Sequence, residues 1–392
     1  MIDIAVIGAG NRARKYLQCL PPGVRVRSVI EPDPLRLSIA SRMCGVPERD
    51  CFSSSDEFFS HLPAVDAAII AAPDRLHVPL ALQAVSVGLP VLLEKPVSQS
   101  EAEYRSLMDA ASAAGVSVGV CLEMRCHPFF RRLGELARSG IIGDIQSIEH
   151  VEHVGPDRMA HSFVRGLWSR KADSGPIFLS KCCHDADFLL SVTGGKVVSV
   201  RSWGSLSKFV HNPSAPARCI DCSREDCPYS AVKLYRDRGA WTECFDVPDG
   251  STLSDVVEAE LLAGKYGRCV YRCDNDVFDE QTVEAVLDNG ITLKMSMEGT
   301  SMQEGRVTRI QGARGAVFAG DGIIRVTDCE GRTVLEEDYS ELVTQPFHSG
   351  ADRTLMAEFF AAVKEGREPE SSLSAALEGH RLCWLADCAA GA

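Results

Sequence analysis

Long apolar runs are missing from this chain. No stretch approaches the ~18 uninterrupted apolar residues that cross a bilayer, which argues against a membrane partner. Basic side chains are in deficit, 41 Lys and Arg against 54 Asp and Glu, for a net charge of −13. That balance repels nucleic acid and anionic lipid and favours a small-molecule partner. Internal repeats and Gly/Ser tracts are absent, so no long disordered tail is expected. The opening Met1-Ile2-Asp3-Ile4-Ala5-Val6-Ile7-Gly8 lacks the basic flank and the apolar length of a secretory leader and reads as a first strand. The sixteen cysteines therefore lack an export context, and a reducing cytoplasm with free or metal-bound thiols is the expectation.

What is present is enough apolar material, 45% of 392 residues, for two cores. From residue 2 to about 122, short apolar runs alternate with amphipathic stretches. Strands are expected at Ile2 to Ile7, Val24 to Ile30, Ala67 to Ala71, Val91 to Leu93 and Ser117 to Cys121, with helices over Leu76 to Val87 and Glu101 to Ala113. This is the pattern of an α/β domain with a doubly wound parallel sheet over residues 1–122. A second, α+β domain with a large, mainly antiparallel sheet is expected over 123–348. Its strands fall at Gln146 to Val154, Val197 to Trp203, Gly267 to Cys273, Thr282 to Leu287, Thr292 to Met297, Arg306 to Gln311 and Val317 to Ala319. Residues 349–392 read as helices, Asp352 to Val363 and Ser372 to Cys388, that pack back near the domain junction.

Gly8-Ala9-Gly10-Asn11-Arg12-Ala13 follows the first strand and matches G-x-G-x-x-(G/A). Gly8 makes the tight turn, Gly10 lets backbone N–H groups approach a pyrophosphate, and Ala13 lets helix and strand pack closely. Glu31 ends the second strand 23 residues after Gly8, near the ~20 expected of an acid that binds ribose hydroxyls. Its carboxylate favours NAD over NADP, while Arg27 and Arg36 keep NADP open.

Glu94-Lys95-Pro96 ends the fourth strand, and Ala71-Ala72-Pro73-Asp74-Arg75-Leu76-His77 follows the third. With the glycine turn, these segments resemble the glucose-fructose oxidoreductase, inositol dehydrogenase and rhizopine-catabolism (Gfo/Idh/MocA) family. The resemblance implies a Rossmann domain with Ala72, Pro73, His77 and Glu94 near the dinucleotide, and Lys95 beside both nicotinamide and substrate. An ammonium there hydrogen-bonds a developing alkoxide and, if desolvated, lowers its own pKa enough to shuttle a proton. Pro96 reads as a fixed bend of the kind a cis proline makes.

The family's second signature aligns with Ser174 to Asp187 when anchored at His184. His184 and Asp187 match, but Ser180 stands where the family carries a catalytic aspartate, and Cys182 where it carries glycine. The resemblance therefore implies an altered acid/base pair, Lys181 and His184, with Lys95 as the third polar group. Asp185, Arg125, Arg165 and Trp168 are candidate substrate contacts, Trp168 by stacking on a sugar face. A homodimer or homotetramer built on the broad sheet is implied as well.

A Cys-rich insertion near 211–229 holds Cys219, Cys222 and Cys227 in C-x2-C-x4-C spacing. This suits a structural zinc site whose fourth ligand is unidentified among His211, Cys244, Cys182 and Cys183; free thiols in a loop are the other reading. Near the end, Asp352 is expected to cap the penultimate helix. The reading that results is an NAD(P)-dependent oxidoreductase acting on a C–O group of a sugar, cyclitol or keto-glycoside. Two alternatives stand beside it: a glycosidase that uses tightly held NAD transiently, and a non-catalytic dinucleotide-binding scaffold.

Overall fold

In the computed structural model, which describes residues 1–343 and 346–391, six short parallel strands build the first half of the chain. They are β1 (Ile2–Ile7), β2 (Val24–Ile30), β3 (Cys51–Phe52), β4 (Ala67–Ile70), β5 (Val91–Leu93) and β6 (Val118–Val120). Their order, β3-β2-β1-β4-β5-β6, is the doubly wound arrangement that the alternating pattern predicts. Because helices cover both faces, the central strands are apolar throughout: Ile4 to Ile7 and Ala67 to Ile70 are all buried. Local signals set the helix limits. Asp33 accepts from the N–H groups of Leu35 and Arg36 to start Pro34–Cys44, and Gly45 ends it at φ 67°.

The second sheet has eight strands. These are β7 (Ile145–Val154), β8 (Val197–Ser205), β9 (Glu280–Leu287), β10 (Thr292–Glu298), β11 (Glu304–Gly312), β12 (Gly315–Gly320), β13 (Ile323–Asp328) and β14 (Thr333–Asp338). In the order β14-β13-β12-β11-β7-β10-β9-β8, every pairing is antiparallel except β10 with β7. One face packs on the helix Ile177–Thr193, so inward residues alternate with exposed ones, as in β9 and β10.

The segment Gly267 to Cys273 departs from expectation. Instead of a strand it forms two 3-10 turns, Lys265–Gly267 and Val270–Arg272. The Arg268 and Arg272 amides bond locally, to the Lys265 and Cys269 carbonyls, and Cys269 N–H bonds the Ala217 carbonyl, so pairing stops at an isolated bridge between Arg218 and Arg268. Strands β13 and β14 lie outside the expected set: β14 has only Val334 and Leu335 as apolar residues, whereas β13 carries Ile323, Ile324 and Val326.

Both C-terminal helices return to the junction. Ala351–Glu365 lays Leu355, Met356, Phe359 and Phe360 on the core beneath β1 and β4. Leu373–Ala390 crosses Ile177–Thr193 at Gly379, where a Cβ would stand 2.6 Å from the Asp187 Cα; the crossing is that close because this residue has no side chain. Between β8 and β9 the chain makes a long excursion with its own small core of Ala231, Leu234, Tyr235, Phe245, Val257 and Leu261.

Candidate functional site

At the first βα turn, Gly8 has φ 93°, and a Cβ there would lie 2.5 Å from the Ala71 carbonyl oxygen, so the two turns can touch only through glycine. A Cβ on Gly10 would meet nothing within 4 Å, and Ala13 is fully buried. This is a cradle closed at Gly8 and open at Gly10, and it fits a pyrophosphate. Glu31 is 6% exposed and accepts from the N–H groups of Ala9 (2.7 Å) and Asp33 (3.1 Å), holding a carboxylate at the end of β2.

Arg12 ties the turn to the rest of the site. Its guanidinium contacts Glu94 (2.9 Å) and Asp352 (2.7 Å), and Tyr16 donates to the same Glu94 oxygen. Burial disfavours the charged form, but Tyr16, Glu123, Glu94 and Asp352 outweigh it and keep Arg12 firmly cationic. Asp352 lies in the first turn of its helix and does not cap it; Gly350 is the cap. Fully buried, this carboxylate takes Arg12 and His348 as partners instead, which corrects the expected cap.

Lys95 stands at the carboxyl end of β5, and the Lys95–Pro96 bond is cis. Its Nζ donates to the Ser180 carbonyl (2.7 Å), and its backbone N–H to Glu94 Oε2 (2.9 Å). His77 bridges the neighbouring turns, with Nδ1 2.7 Å from the Pro96 carbonyl and Nε2 2.9 Å from that of Ala72. Just beyond Pro73, Asp74 accepts from Trp168 Nε1 (3.2 Å), which brings that tryptophan to the same edge. Burial pulls the Lys95 pKa down, but Cys183, Glu94, Glu123 and Asp74 more than offset it, so the net shift is upward. The proton-shuttling lysine expected from desolvation is thus a fixed ammonium.

The helix Ile177–Thr193 carries two adjacent stripes. Ser180, His184 and Asp187 face the dinucleotide domain: Ser180 meets Lys95, His184 Nε2 lies 3.3 Å from Glu123 Oε1, and Asp187 binds Arg125 through two bonds of 2.6 and 2.7 Å. Burial, then Lys95, push the His184 pKa well below its ordinary value, so this imidazole is neutral at pH 7. Lys181 and Asp185 face the large sheet. Lys181 pairs with Glu152 on β7, while Asp185 meets His150 Nε2 (3.0 Å) and Arg306 Nε (2.5 Å).

Several sequence candidates are therefore held by partners within the protein. Asp185 is fully buried among His150 and Arg306, and Arg125 holds Asp187 and the Ala375 carbonyl. Arg165 is fully buried and donates to the carbonyls of Arg268 (2.7 Å) and Tyr229 (2.6 Å), a strut under the excursion and not a sugar contact. The zinc expectation is also corrected, since among the described residues no group of three or more His, Cys, Asp or Glu gathers as a metal requires. Cys219, Cys222 and Cys227 line an open cavity of about 480 Å³, and the Cys219 thiol is turned to Arg165 Nη2 (3.4 Å) and the Arg268 carbonyl (3.7 Å).

Glu123 was not anticipated. It opens the 3-10 turn Glu123–Cys126 just after β6, is 8% exposed, and lies 3.7 Å from His348 Nδ1 and 3.8 Å from Arg12 Nη2. Its place at the carboxyl edge of a parallel sheet was the available signal. Asn11 reaches Cys244 of the excursion (3.3 Å), and Asp246 there joins Arg14 (2.5 Å) to Arg36 (2.8 Å), so the excursion grips both the helix that follows the glycine turn and the helix that follows β2.

Residues 2–122 match the profile of an oxidoreductase family with an NAD-binding Rossmann fold. An inositol 2-dehydrogenase of Corynebacterium glutamicum is 25% identical over 216 residues, which is 54% of this chain and 60% of that one. The putative oxidoreductase YteT of Bacillus subtilis is 24% identical over 349 residues, 82% of this chain and 77% of that one. Among solved structures, an Agrobacterium radiobacter oxidoreductase in complex with NAD+, L-tartaric acid and magnesium superposes with a TM-score of 0.74 at 15% identity, covering 100% of this chain and 96% of that one. A putative myo-inositol dehydrogenase from Sinorhizobium meliloti gives 0.68 at 16% identity, covering 100% and 98%. At such identities these likenesses show the fold alone.

Proposed function

Residues 2–122 belong to the Gfo/Idh/MocA oxidoreductase family, with its NAD-binding Rossmann fold, and from that premise we propose that the chain is an NAD(P)-dependent oxidoreductase acting on a CH–OH group of a sugar, cyclitol or keto-glycoside. One observation carries the reading. At the carboxyl edge of the dinucleotide sheet, the ammonium of Lys95 donates to the Ser180 carbonyl of the helix Ile177–Thr193, one turn before the neutral imidazole of His184.

The bound dinucleotide supplies the hydride acceptor or donor. The chain's own groups position the substrate and manage its proton. Lys95 donates a hydrogen bond to the reacting oxygen in both its hydroxyl and carbonyl forms, stabilising the charge that develops there. His184 takes the hydroxyl proton on oxidation and returns it on reduction. The Glu31 carboxylate favours NAD by repelling a 2′-phosphate. Trp168, anchored on Asp74, stands where it can lie against a substrate ring.

Two broader features complete the proposal. The outer face of the eight-stranded sheet, where Trp203 and Val286 are exposed, pairs copies of the chain into a homodimer or homotetramer. Among the described residues every cysteine is free and no helix is long and apolar enough to cross a membrane, which supports a cytoplasmic setting.

The test is a panel of sugars, cyclitols including myo-inositol, and keto-glycosides, followed at the nicotinamide absorbance with both cofactors. Turnover is expected with NAD, and Lys95→Met and His184→Asn should each lower kcat by roughly 10²- to 10⁴-fold while NAD still binds. Unchanged turnover in Lys95→Met would sink the mechanism. Release of an aglycone with no net NADH would move the assignment to the glycosidase.

A further inference from the structure

The long excursion between β8 and β9 serves no step of the proposed chemistry, yet one short stretch of it, residues 243–249, is tied to the dinucleotide domain along its length. Cys244 Sγ accepts from Asn11 Nδ2 (3.3 Å), and Asp246 takes both Arg14 (2.5 Å) and Arg36 (2.8 Å). Glu243 reaches Lys15 (3.7 Å) and Asp249 reaches Arg42 (3.0 Å). These partners lie on two helices that frame the cofactor's route. Asn11–Leu17 opens at the glycine turn, and Pro34–Cys44 opens just after Glu31, the acid placed to bind ribose. Burial works against the Arg36 charge, but Asp246 and then Glu31 more than offset it, so this guanidinium is held between the excursion and the ribose acid.

The stretch is stiff because neighbouring residues face opposite ways. Phe245 is buried in the excursion's own core, its ring 5.3 Å from that of Tyr235 and 5.4 Å from that of Tyr266, while Cys244 and Asp246 on either side of it turn to the dinucleotide domain. Trp241, at φ 63°, stacks on His161 with 4.9 Å between ring centroids, which fastens the stretch to the segment Met159–Arg165 that follows β7. Its contacts are not equal. Glu243, Arg42 and Asp249 are more than half exposed, and ion pairs there contribute little. Asp246 and Arg14 are 15% and 13% exposed, and Asp246 accepts from two guanidiniums, so removing it leaves two poorly solvated cations without their anion.

We propose that residues 243–249 form a latch over the adenosine side of the dinucleotide site, with Asp246 as its catch, and that the cofactor enters and leaves when the Asp246 ion pairs open. The inference rests on the dinucleotide-binding reading of the Gly8 turn and Glu31. Every contact of the latch joins two protein groups, so it resists passage in both directions. It therefore sets how fast the dinucleotide exchanges and leaves the affinity for NADH nearly unchanged. Opening of a covering segment limits turnover in many enzymes.

Stopped-flow fluorescence of NADH on the full-length protein reads both rates without any sugar substrate. Capture of NADH, and its release when chased with excess NAD, should each be about tenfold faster in Asp246→Ala than in the wild type, with the Kd for NADH changed by less than about threefold. Asp246→Asn, which keeps the size and an accepting oxygen but loses the charge, should fall between the two. Unchanged rates in Asp246→Ala overturn the latch. So does a faster release with capture unchanged, because Asp246 would then be a binding contact and not a catch. Where Asp246→Ala does not fold, Asp246→Asn decides by the same criteria. A wild-type protein that binds no NADH removes the dinucleotide reading and the latch with it, whereas normal NADH binding with unaltered rates removes the latch alone.

Discussion

Lys95 and His184 start from ordinary pKa values on either side of neutrality, and the fold drives them further apart. His184 is buried and Lys95 half-buried, and the lysine has Cys183, Glu94, Glu123 and Asp74 around it while the histidine has Lys95. The lysine therefore keeps its proton and the histidine gives its proton up, which is the division of labour that alcohol oxidation needs. Other histidines follow the same physics without a catalytic part. Burial brings His380 and His127 down to about 4 and His161 to about 3. An unfolded chain protonates these rings near 6.5, so between pH 6.5 and 4 the unfolded state binds more protons. Stability should be full above pH ~6.5, drain as the pH falls toward 4, and flatten below the folded values, each ring contributing a few kcal/mol at ~1.4 per pKa unit. Thermal melts across that range check it, and a Tm rising on acidification from pH 7 to 5 would refute it.

At the scale of elements, the excursion between β8 and β9 acts as a clasp on the dinucleotide domain. Burial works against the Asp246 carboxylate, but Arg36 and Arg14 outweigh it and keep it charged. Arg36 follows β2, where a 2′-phosphate would seek a cation. With Asp246 in place, that cation is already paired. Asp246→Ala should therefore narrow the NAD-over-NADP preference by about tenfold, the ~1.4 kcal/mol of one modest charge interaction. Titration of both dinucleotides measures it, and an unchanged ratio of the two Kd values would separate the clasp from cofactor choice. Elements also show how far local pattern reaches. The strand β1, the Gly8 turn and the helix Glu101–Ala114 were legible because their signals lie within a few residues. The segment Gly267 to Cys273 was misread because a short apolar run carries no signal for the 3-10 turns it makes against its neighbours.

For the whole molecule, the outer face of the large sheet is the surface left to explain. Trp203 is 56% exposed and Val198 65%, on the edge strand β8. If this face joins subunits, Trp203→Glu should convert the oligomer to a monomer in analytical ultracentrifugation with the fold intact by circular dichroism. A wild-type protein that sediments as a monomer would remove the assembly from the proposal.

The chain's own order determined the dinucleotide half: the glycine spacing, Glu31, and the strand-ending Glu94-Lys95-Pro96 are local, so they survive reading one residue at a time. It also placed Lys95 and His184 among the candidates. What tertiary structure decided was partnership. Helix phase turned Lys181 and Asp185 toward Glu152 and Arg306, burial made Arg165 a strut, and the three clustered thiols lined a cavity instead of converging on an ion. Glu123 reached His184 from 61 positions away in the sequence, because charge and burial act through space and no spacing rule along the chain encodes them.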